Sequence, residues 1–575
     1  MQTLIQLIKP YKKRIILVAL LDALGMIMAL LMPFVMSETV DRGIAQKDIG
    51  VIIIHCVLML VIAAVSLFGS LSANKLNNSV MAGYTRDVQR ATFAKINRLS
   101  YSAFSRLGPS GLLTRVTDDI WNIEGAISSL VYTAVTVPVM LVGSAVLAFI
   151  RNATLAVVFI LSLPPVMLLV WLLLRPLYGM WELSDKFVDD QNRIVRERLS
   201  GIRVVRAFNS DLREHERARH ATEEMAKYMI RANVRGGYIE PFAMLLLNLA
   251  TVLMVAVAGG MADVGALKSA GDIVALVQYV MILAGALLNL SWTVAWLPRL
   301  RVAIKRIGEI HSETDEGSAK SETLPSGFAL EVRGLYFAYP DSPRDTLEDI
   351  SISVKEGERV AIIGGTGSGK TTLTRLLVGL YSTDRGEIML GGVDYRRLSL
   401  DEIRSHFSVA LQRSMIFEGT VRENLLLGDP DADDEKILEA LSDAEMRHFI
   451  EETKGGLDYL LVGMGRNVSG GQKQRLNIAR AILRPADIYL FDDSFSALDF
   501  LTERRIREAL EKRLSGKSVI TVTQRVASAM HADRIYVIDG GRIVGSGTHR
   551  ELLISSDIYR EIAYSQLGEG VNAGA

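Results

Sequence analysis

Long apolar runs fill the first half of the chain, whereas short apolar runs alternate with polar stretches in the second half. The long runs each reach the roughly 20 residues that an α-helix needs to cross a bilayer. They lie at about 15–36, 51–73, 126–150, 154–174, 238–261 and 273–296. The first run is longer than a signal-peptide core and has no small-residue cleavage site, so we interpret it as a retained span. The pattern predicts six membrane spans.

The basic residues between the runs predict how these spans are oriented. Segments 74–125 and 177–237 are dense in arginine and lysine, whereas the short connections 37–50, 151–152 and 262–272 carry few. Cytoplasmic loops carry the excess of basic residues in membrane proteins. We therefore expect a multi-pass protein of the cell membrane, surrounded by lipid bilayer, with both termini in the cytoplasm.

The two basic segments keep a helical apolar spacing, as in Val80, Tyr84 and Val88, and predict helices that continue beyond the bilayer. They turn at 108–111, before 112–120, and at 199–208. Solvated hairpins are one interpretation. The other is that these tips dock on another domain, because apolar side chains such as Leu112 and Phe208 would be wasted in water.

The second half of the chain predicts a different architecture. Residues 311–327 are rich in Ser, Glu, Thr and Gly without an apolar period, which is typical of a linker. From residue 328 onward, β-rich runs alternate with helical stretches, which favours a parallel sheet with crossover helices. The predicted fold is thus an all-α transmembrane domain with six helices (1–310), a linker (311–327) and an α/β domain (328–575).

Composition limits the number of domains and the classes of protein that fit the chain, but it does not indicate a function. A chain of 575 residues is too long for a single core. Its 64 basic and 64 acidic residues balance, so net charge indicates no partner. One cysteine, Cys56, excludes an intrachain disulfide framework and lies in an apolar run, where we expect an inert thiol.

One stretch of the second half carries specific chemistry. Residues 364–371 fit the phosphate-binding pattern G-x-x-x-x-G-K-[ST], between an apolar strand-like run (360–363) and a helix-like stretch (372–380). Glycines let backbone N–H groups close around phosphates, the lysine reaches the β/γ-phosphates, and the hydroxyl of Thr371 can ligate magnesium. The residues expected to bind the nucleotide here are Gly364, Gly365, Thr366, Gly367, Ser368, Gly369, Lys370, Thr371 and Thr372. This motif predicts that the chain binds ATP with Mg²⁺.

A second motif follows about 120 residues later. The apolar run 488–491 ends in Asp492 and Asp493, and the first of these carboxylates is placed to organise magnesium on the phosphates. Between the two motifs lies the sequence Ser469-Gly470-Gly471-Gln472. This combination, together with the six predicted spans, resembles an ATP-binding-cassette exporter half-transporter over essentially the whole chain.

The resemblance implies further roles. Tyr339 resembles the aromatic residue that stacks on adenine, although a tyrosine beside Tyr336 could also be a core residue. Gln412 resembles the glutamine that contacts magnesium and senses the membrane domain. The signature residues Ser469, Gly470, Gly471 and Gln472 are expected to act in trans, on the nucleotide of a partner chain. Residues 496–499, ending in Asp499, resemble the loop that couples two nucleotide sites.

Two positions depart from the family pattern. Asp493 stands where these exporters usually have the glutamate that serves as general base, and Gln524 stands where they usually have a switch histidine. The aspartate is one methylene shorter, which retracts the carboxylate by roughly 1.5 Å and costs on the order of a hundredfold in rate. A neutral amide cannot offer the charge of an imidazolium. Together the two changes predict a site that binds ATP and hydrolyses it poorly.

These departures predict a partner. A homodimer would contain two weak sites, whereas the nearly intact signature of this chain could complete a competent site on a different chain. The resemblance therefore implies a heterodimeric, multidrug-type exporter, in which this chain is the half with the degenerate site. We expect ATPase-coupled export of hydrophobic or amphipathic small molecules.

Other functions stay open at this point. The cargo could be a defined peptide or lipid, and the protein could be an ATP-gated channel or a regulatory subunit. A soluble ATPase of DNA maintenance is excluded by the predicted spans, and no nucleic-acid partner is expected.

Overall fold

The computed structural model describes residues 2–263, 269–317, 324, 329–340 and 342–567. It divides the chain into two compact units. Unit 1 comprises Met1–Asn97 and Gly108–Glu313, and unit 2 comprises Arg98–Leu107 and Thr314–Ala575. The segment Arg98–Leu107 was expected in the first domain, and the structure places it in unit 2 instead. Most of the predicted linker 311–327 lies outside the described residues.

The regular secondary structure among the described residues of unit 1 is helical. Its helices are α1 Gln2–Ile8, α2 Lys12–Glu38, α3 Ile49–Ile96, α5 Pro109–Val116, α6 Asp118–Arg151, α7 Ala153–Ser200, α8 Ile202–Ala207, α9 Asp211–Gly237, α10 Ile239–Asp263 and α11 Gly271–Ser312. A 3₁₀ turn, Lys9–Tyr11, precedes α2, and a π-helical turn, Thr39–Ile44, follows it. Five predicted spans lie inside one of these helices, and the span 238–261 begins one residue before α10.

Small residues let the first two long helices approach closely. A Cβ atom added to Gly69 would lie 3.2 Å from the backbone N of Gly25, and one added to Gly25 would lie 2.9 Å from Ser70 Oγ. The hydroxyl of Ser66 donates to Gly25 O at 2.9 Å. Contacts between small residues are typical of helices that associate within a bilayer.

Five helical stretches among the described residues are long and apolar enough to cross a membrane. They are Thr3–Ile44, Ile49–Ile96, Pro109–Arg151, Ala153–Leu177 and Asp211–Ala262. The sixth predicted span, 273–296, lies in α11, whose apolar stretch Gly271–Leu287 is shorter. Five of the six expected spans therefore meet this requirement, and the sixth stays a prediction.

The two expected docking tips differ from each other. In the first tip, 112–120, the side chains of Leu112 (4% exposed) and Ile120 (1% exposed) are buried, whereas Leu113 is 66% exposed, so docking of this tip on another domain stays a prediction. Ile120 packs in a cluster with Val80, Tyr84 and other residues of unit 1. The second tip contains α8, which has no buried residue, and its neighbour Phe208 is 78% exposed.

Unit 2 is built on strands β1 to β12. They are β1 Leu330–Phe337, β2 Leu347–Val354, β3 Arg359–Ile363, β4 Glu387–Leu390, β5 Val393–Asp394, β6 Phe407–Ala410, β7 Gly419–Thr420, β8 Leu460–Leu461, β9 Ile488–Asp492, β10 Ser518–Thr523, β11 Arg534–Asp539 and β12 Arg542–Gly547. The main sheet has the order β12-β11-β3-β10-β9-β6, and a second sheet has the order β2-β1-β4-β5. Neighbouring strands from β11 to β6 are parallel, as the alternating pattern predicts.

Helices and turns connect and cover these strands. The helices are α4 Tyr101–Leu107, α12 Lys370–Leu377, α13 Leu400–Ser405, α14 Val421–Leu425, α15 Asp434–Asp443, α16 Arg447–Glu452, α17 Gly470–Leu483, α18 Phe500–Arg513, α19 Val526–Ala529, α20 His549–Ser555 and α21 Asp557–Leu567. Strands β3, β9 and β10 run through the core; all five residues of β9 are buried. Strands covered on both faces are apolar throughout, which explains the unbroken run at 488–491.

The segment Arg98–Leu107 is fixed within unit 2 by several contacts. Leu99 forms an isolated antiparallel bridge with Asp315, and the backbone N–H of Glu316 donates to Arg98 O at 2.6 Å. The ring of Tyr101 meets the ring of Tyr381 edge-on, with 5.3 Å between centroids. The part of the chain that directly follows α3 is thus built into unit 2.

Candidate nucleotide-binding site

The expected site residues meet at one edge of the main sheet. The phosphate loop follows β3, Gln524 follows β10, Asp492 and Asp493 end β9, and Gln412 follows β6. These four strands are adjacent and parallel, so their carboxyl ends lie at the same edge. Ligands of open α/β sheets bind outside this edge.

Two glycines of the phosphate loop are required by close approach. A Cβ atom at Gly364 would collide with the backbone O of Ile538. Gly369 has φ +106°, and a Cβ atom there would lie 2.6 Å from Leu347 Cδ2. By contrast, Gly365 and Gly367 would meet nothing within 4 Å. The loop is therefore pinned at both ends and open along its middle, where backbone N–H groups can face phosphates.

Lys370 lies at the centre of this loop. Its ammonium donates to Gly364 O at 2.9 Å and to Gly365 O at 2.7 Å, and it contacts Ser368 Oγ at 3.3 Å. The residue is only 8% exposed, and this burial lowers the pKa of its ammonium. A buried cation held by neutral carbonyls is ready to attract an anionic ligand.

Tyr339 is tied to the helix that begins at the phosphate loop. Its hydroxyl lies 3.0 Å from Thr372 Oγ1 and accepts a hydrogen bond from Arg375 Nη1 at 3.1 Å. Its ring meets those of Phe337 and Tyr381 edge-on, with centroids 5.1 and 5.3 Å apart. Tyr339 thus links the aromatic residues at the edge of the core to the helix that begins at the phosphate loop. This position fits both a residue that stacks on adenine and a core residue.

The two carboxylates at the end of β9 occupy different environments. Asp492 is 2% exposed, and burial raises the pKa of its carboxyl to about 6, helped by the neighbouring charge of Asp493. Asp493 is half-buried. Burial also raises the pKa of the Asp493 carboxyl, whereas hydrogen bonding with Ser496, the charge of Lys370 and hydrogen bonding with Gln412 lower it. The lysine of the phosphate loop therefore interacts electrostatically with both carboxylates.

The backbone of Asp493 is unusual as well. Its φ of +48° lies in the left-handed region, and its N–H donates to Val522 O at 2.8 Å. Aspartate adopts this conformation more readily than most residues. This bend carries the chain away from the end of β9, and the hydroxyl of Ser496 donates to Asp493 O at 2.9 Å.

Gln524 reaches the phosphate loop with its side chain. Its Oε1 atom accepts a hydrogen bond from Thr366 Oγ1 at 3.2 Å. The structure therefore brings the position expected to hold a switch histidine into direct contact with the loop. The neutral amide can orient hydroxyl and phosphate groups, without supplying a positive charge.

The signature residues form the start of α17. Ser469 caps this helix: its Oγ accepts from Gln472 N at 3.2 Å, while Gln472 Oε1 accepts from Ser469 N at 2.7 Å. A Cβ atom at Gly470 would meet nothing within 4 Å. No hydrogen bond joins the signature residues to the phosphate loop within the described part of unit 2. Helix N-termini favour anions, and the role of these residues on a partner's nucleotide stays a prediction.

Asp499 has a local structural role. Its side chain caps α18 by accepting from the N–H of Thr502 at 3.0 Å, and the backbone hydrogen bond from Thr502 lowers the pKa of its carboxyl. The residue is exposed. The predicted coupling loop is therefore shaped by a helix cap, and its coupling role stays a prediction.

Sequence reasoning missed two residues that join these motifs. Gln474 Oε1 accepts from Ala497 N at 2.9 Å and its Nε2 donates to Ser496 Oγ at 3.1 Å, so it ties the signature helix to the coupling loop. Arg525 donates to Ser496 O at 2.7 Å and to the buried Glu503 at 3.1 Å. Gln474 lies close to the signature residues in sequence, and Arg525 directly follows Gln524. This proximity to a motif is the one sequence feature that could have indicated their roles.

The donors at this edge fit a magnesium ion. Magnesium prefers oxygen ligands and takes a few from protein and the rest from water and phosphate. Asp492, Thr371 and Gln412 supply a carboxylate, a hydroxyl and an amide oxygen. Among the residues that the structure describes, no cluster of three or more His, Cys, Asp or Glu side chains could hold a metal by itself. The buried Asp492 carboxylate, with its raised pKa, is the group that a cation would stabilise most.

Comparisons with known proteins agree with this geometry. The family described as "ABC transporter transmembrane region" matches residues 15–287, and the family described as "ABC transporter" matches residues 347–496. An uncharacterised ABC transporter ATP-binding protein of Mycobacterium tuberculosis is 33% identical over 568 residues, 98% of this chain and 97% of that protein. An ATP-dependent lipid A-core flippase of Pseudomonas fluorescens is 30% identical over 510 residues, 88% of this chain and 84% of the flippase.

The fold is also similar to a solved structure. A bacterial Atm1-family ABC exporter with ATP bound has a TM-score of 0.81 at 23% identity, covering 98% of this chain and 99% of that one. At this identity the likeness concerns the fold alone. Family matches in both units and a relative that is one-third identical over nearly the whole chain lead to one conclusion. The chain belongs to the ABC transporter family, as an ATP-driven exporter half-transporter in which a transmembrane region is fused to an ABC ATPase domain.

Proposed function

We propose that this chain is one half of a heterodimeric exporter, and that its own phosphate-loop site binds Mg·ATP and hydrolyses it slowly. The observation that carries the proposal is the pair Asp493 and Gln524 at the two positions that act on the attacking water and the γ-phosphate. In this proposal both termini are cytoplasmic, and the protein lies in the cell membrane.

Slow hydrolysis is supported by the surroundings of these two side chains. A general base must lie within hydrogen-bond reach of the water that it activates. The side chain of Asp493 is one methylene shorter than that of glutamate, and the amide of Gln524 accepts a hydrogen bond from Thr366. The intact Lys370 and Asp492 favour binding of the phosphates and the metal. The residues of this site thus support binding of Mg·ATP more strongly than its hydrolysis.

The signature supports assembly with a partner chain. ABC exporters work as dimers, and a signature helix without a hydrogen bond to the phosphate loop of its own chain is suited to a nucleotide on another chain. Two copies of this chain would pair two weak sites. We therefore expect the partner to carry glutamate and histidine where this chain has Asp493 and Gln524.

The exposed tip at α8 supports assembly with a partner as well. Phe208 is exposed, and unit 2 carries a groove of about 520 Å³ whose lining includes Leu411, Leu427 and Arg484. The buried Nε atom of Arg484 has no hydrogen-bond partner among the described residues. In the proposed heterodimer, the α8 tip of each half occupies this groove on the other half.

The proposed cargo is hydrophobic or amphipathic, and a lipid is the second candidate. The similarity to a lipid A-core flippase favours an amphipathic lipid over a peptide. Transport assays in proteoliposomes with a panel of dyes, lipids and peptides would separate these classes.

Nucleotide retention tests the proposal. The transporter, purified with its native partner, is turned over in Mg·ATP, and the nucleotide remaining on the phosphate loop of this chain is identified after 8-azido-ATP labelling. We expect ATP to persist there across several transport cycles, while Lys370→Ala abolishes the labelling. Conversion to ADP as fast as at the partner's site would overturn slow hydrolysis.

A further inference from the structure

The last described helix of the chain contacts the segment that holds Gln524. The side chain of Gln566, in α21, donates from Nε2 to Gln524 O at 2.7 Å. Its Oε1 accepts from the N–H of Val526 at 2.8 Å. One amide therefore satisfies a backbone acceptor and a backbone donor two residues apart. This is the pairing that a neighbouring strand would supply.

The helix that carries Gln566 is firmly anchored. Tyr559 and Ala563, on the same helix, are fully buried in a cluster with Val526 and with Ala361 and Ile363 of β3. The hydroxyl of Tyr559 lies 2.7 Å from His549 Nδ1. Strand β3 leads directly into the phosphate loop, so α21 is fixed against the same scaffold that supports the loop.

The side chain of Gln566 is hydrogen-bonded to the backbone of Gln524, the residue whose own side chain contacts the phosphate loop. The Gln524 carbonyl is held by Gln566, while the Gln524 side chain accepts from Thr366. No regular strand continues past Thr523, since β10 ends there. Without Gln566, the backbone of residues 524–526 would lose two of the bonds that fix where the Gln524 amide points.

We infer that Gln566 is a positioning residue: it clamps the backbone of residues 524–526 so that Gln524 stays on the phosphate loop and slows release of the bound nucleotide. The inference rests on the proposed function, in which this site retains Mg·ATP. It assigns a role to the C-terminal helix, which lies outside the family motifs. The clamp acts through Gln524, without contact between Gln566 and the nucleotide.

Three variants separate the clamp from general packing. Gln566→Leu removes both bonds at similar volume. Gln566→Glu keeps an acceptor for Val526 N–H and loses the donor to Gln524 O. Ser565→Ala, an exposed neighbour on the same helix, serves as the matched control. Each is made in the full chain with its native partner, and thermal unfolding checks that the protein folds.

The transporter is loaded with radioactive 8-azido-ATP and chased with unlabelled ATP for increasing times, and only then is the nucleotide that is still bound cross-linked to this chain by ultraviolet light. The functional readout is the rate at which this cross-linked label falls with chase time. We expect Gln566→Leu to accelerate the loss roughly five- to tenfold, which is what one or two ordinary hydrogen bonds contribute. Gln566→Glu should fall in between, and Ser565→Ala should match the unmodified protein. In a Gln524→Ala background, Gln566→Leu should add little, because coupled residues are not additive.

Two results would overturn the inference. One is an unchanged release rate in a folded Gln566→Leu or Gln566→Glu protein. The other is an undiminished effect of Gln566→Leu in the Gln524→Ala background, which would show that it does not act through Gln524.

Backbone hydrogen exchange distinguishes failure of the inference from failure of the proposed function. If the unmodified transporter does not retain ATP, the proposed function fails, and exchange of residues 523–527 without nucleotide then decides on the clamp. Faster exchange in Gln566→Leu supports it, and unchanged exchange rejects it.

Discussion

Asp493 and Gln524 set the chemistry of the site at the scale of single residues. The Asp493 backbone has φ +48°, and its carbonyl oxygen accepts a hydrogen bond from Ser496 Oγ at 2.9 Å. The Gln524 amide lies on Thr366 of the phosphate loop. Lys370 and Asp492, which are expected to hold the phosphates and the metal, are unchanged. The site should therefore lose rate without losing affinity.

Restoring both residues should restore hydrolysis. We expect Asp493→Glu combined with Gln524→His to speed conversion of the ATP retained on this chain by roughly a hundredfold, because general base catalysis contributes on this scale. Asp493→Asn combined with Gln524→His is the control, since it has no base and should stay slow. The measurement is the ADP fraction of labelled nucleotide on this chain in single turnover. An unchanged rate in the first variant would show that other residues limit hydrolysis.

Much of the nucleotide site could be predicted from sequence, and for a physical reason. The backbone of the phosphate loop has no room for a Cβ atom at Gly364 and Gly369. This steric requirement makes the loop recognisable from its sequence pattern. Gln474 and Gln566 could not be predicted, because their partners lie 23 and 42 residues away. A glutamine forms such bonds in many settings, and only the fold decides which one it meets.

At the scale of elements, the apolar pattern located the helices and strands better than their contacts. In the first expected docking tip, Leu112 and Ile120 are buried, whereas Leu113 is 66% exposed. The segment that enters unit 2 is α4, seven residues with a single buried member, Ala103, and too short to show a period. Hydrophobicity shows that a side chain will be covered; it does not show by which element.

The exposed tip at α8 gives the prediction at this scale. Phe208→Asp should uncouple ATP hydrolysis from transport and lower transport by roughly tenfold or more, because it would bury an unpaired charge in the partner's groove. Nucleotide binding should be unaffected. Leu212→Asp, which is outside the tip and 83% exposed, is the matched control and should transport normally. Cargo uptake and ATPase activity are measured together, and undiminished transport by Phe208→Asp would reject the docking role.

At the scale of the whole molecule, the proposed function gives the chain two halves of different sites. In this proposal its phosphate loop belongs to a site with weakened catalytic residues, and its signature completes a site on another chain. An exporter built this way would hold one nucleotide for long periods and turn over the other. The weak site would then keep the two ATPase domains together, while the competent site supplies the free energy for each transport cycle.

The asymmetry is tested most directly by comparing two lesions in the transporter purified with its native partner. Ser469→Ala with Gly470→Asp removes γ-phosphate contacts at the site where hydrolysis is fast, so steady-state ATPase activity should fall roughly a hundredfold. Asp493→Ala affects a site that is already slow, so activity should fall less than about twofold. Equal losses from the two lesions, or full ATPase activity of this chain without a different partner, would contradict the asymmetric transporter.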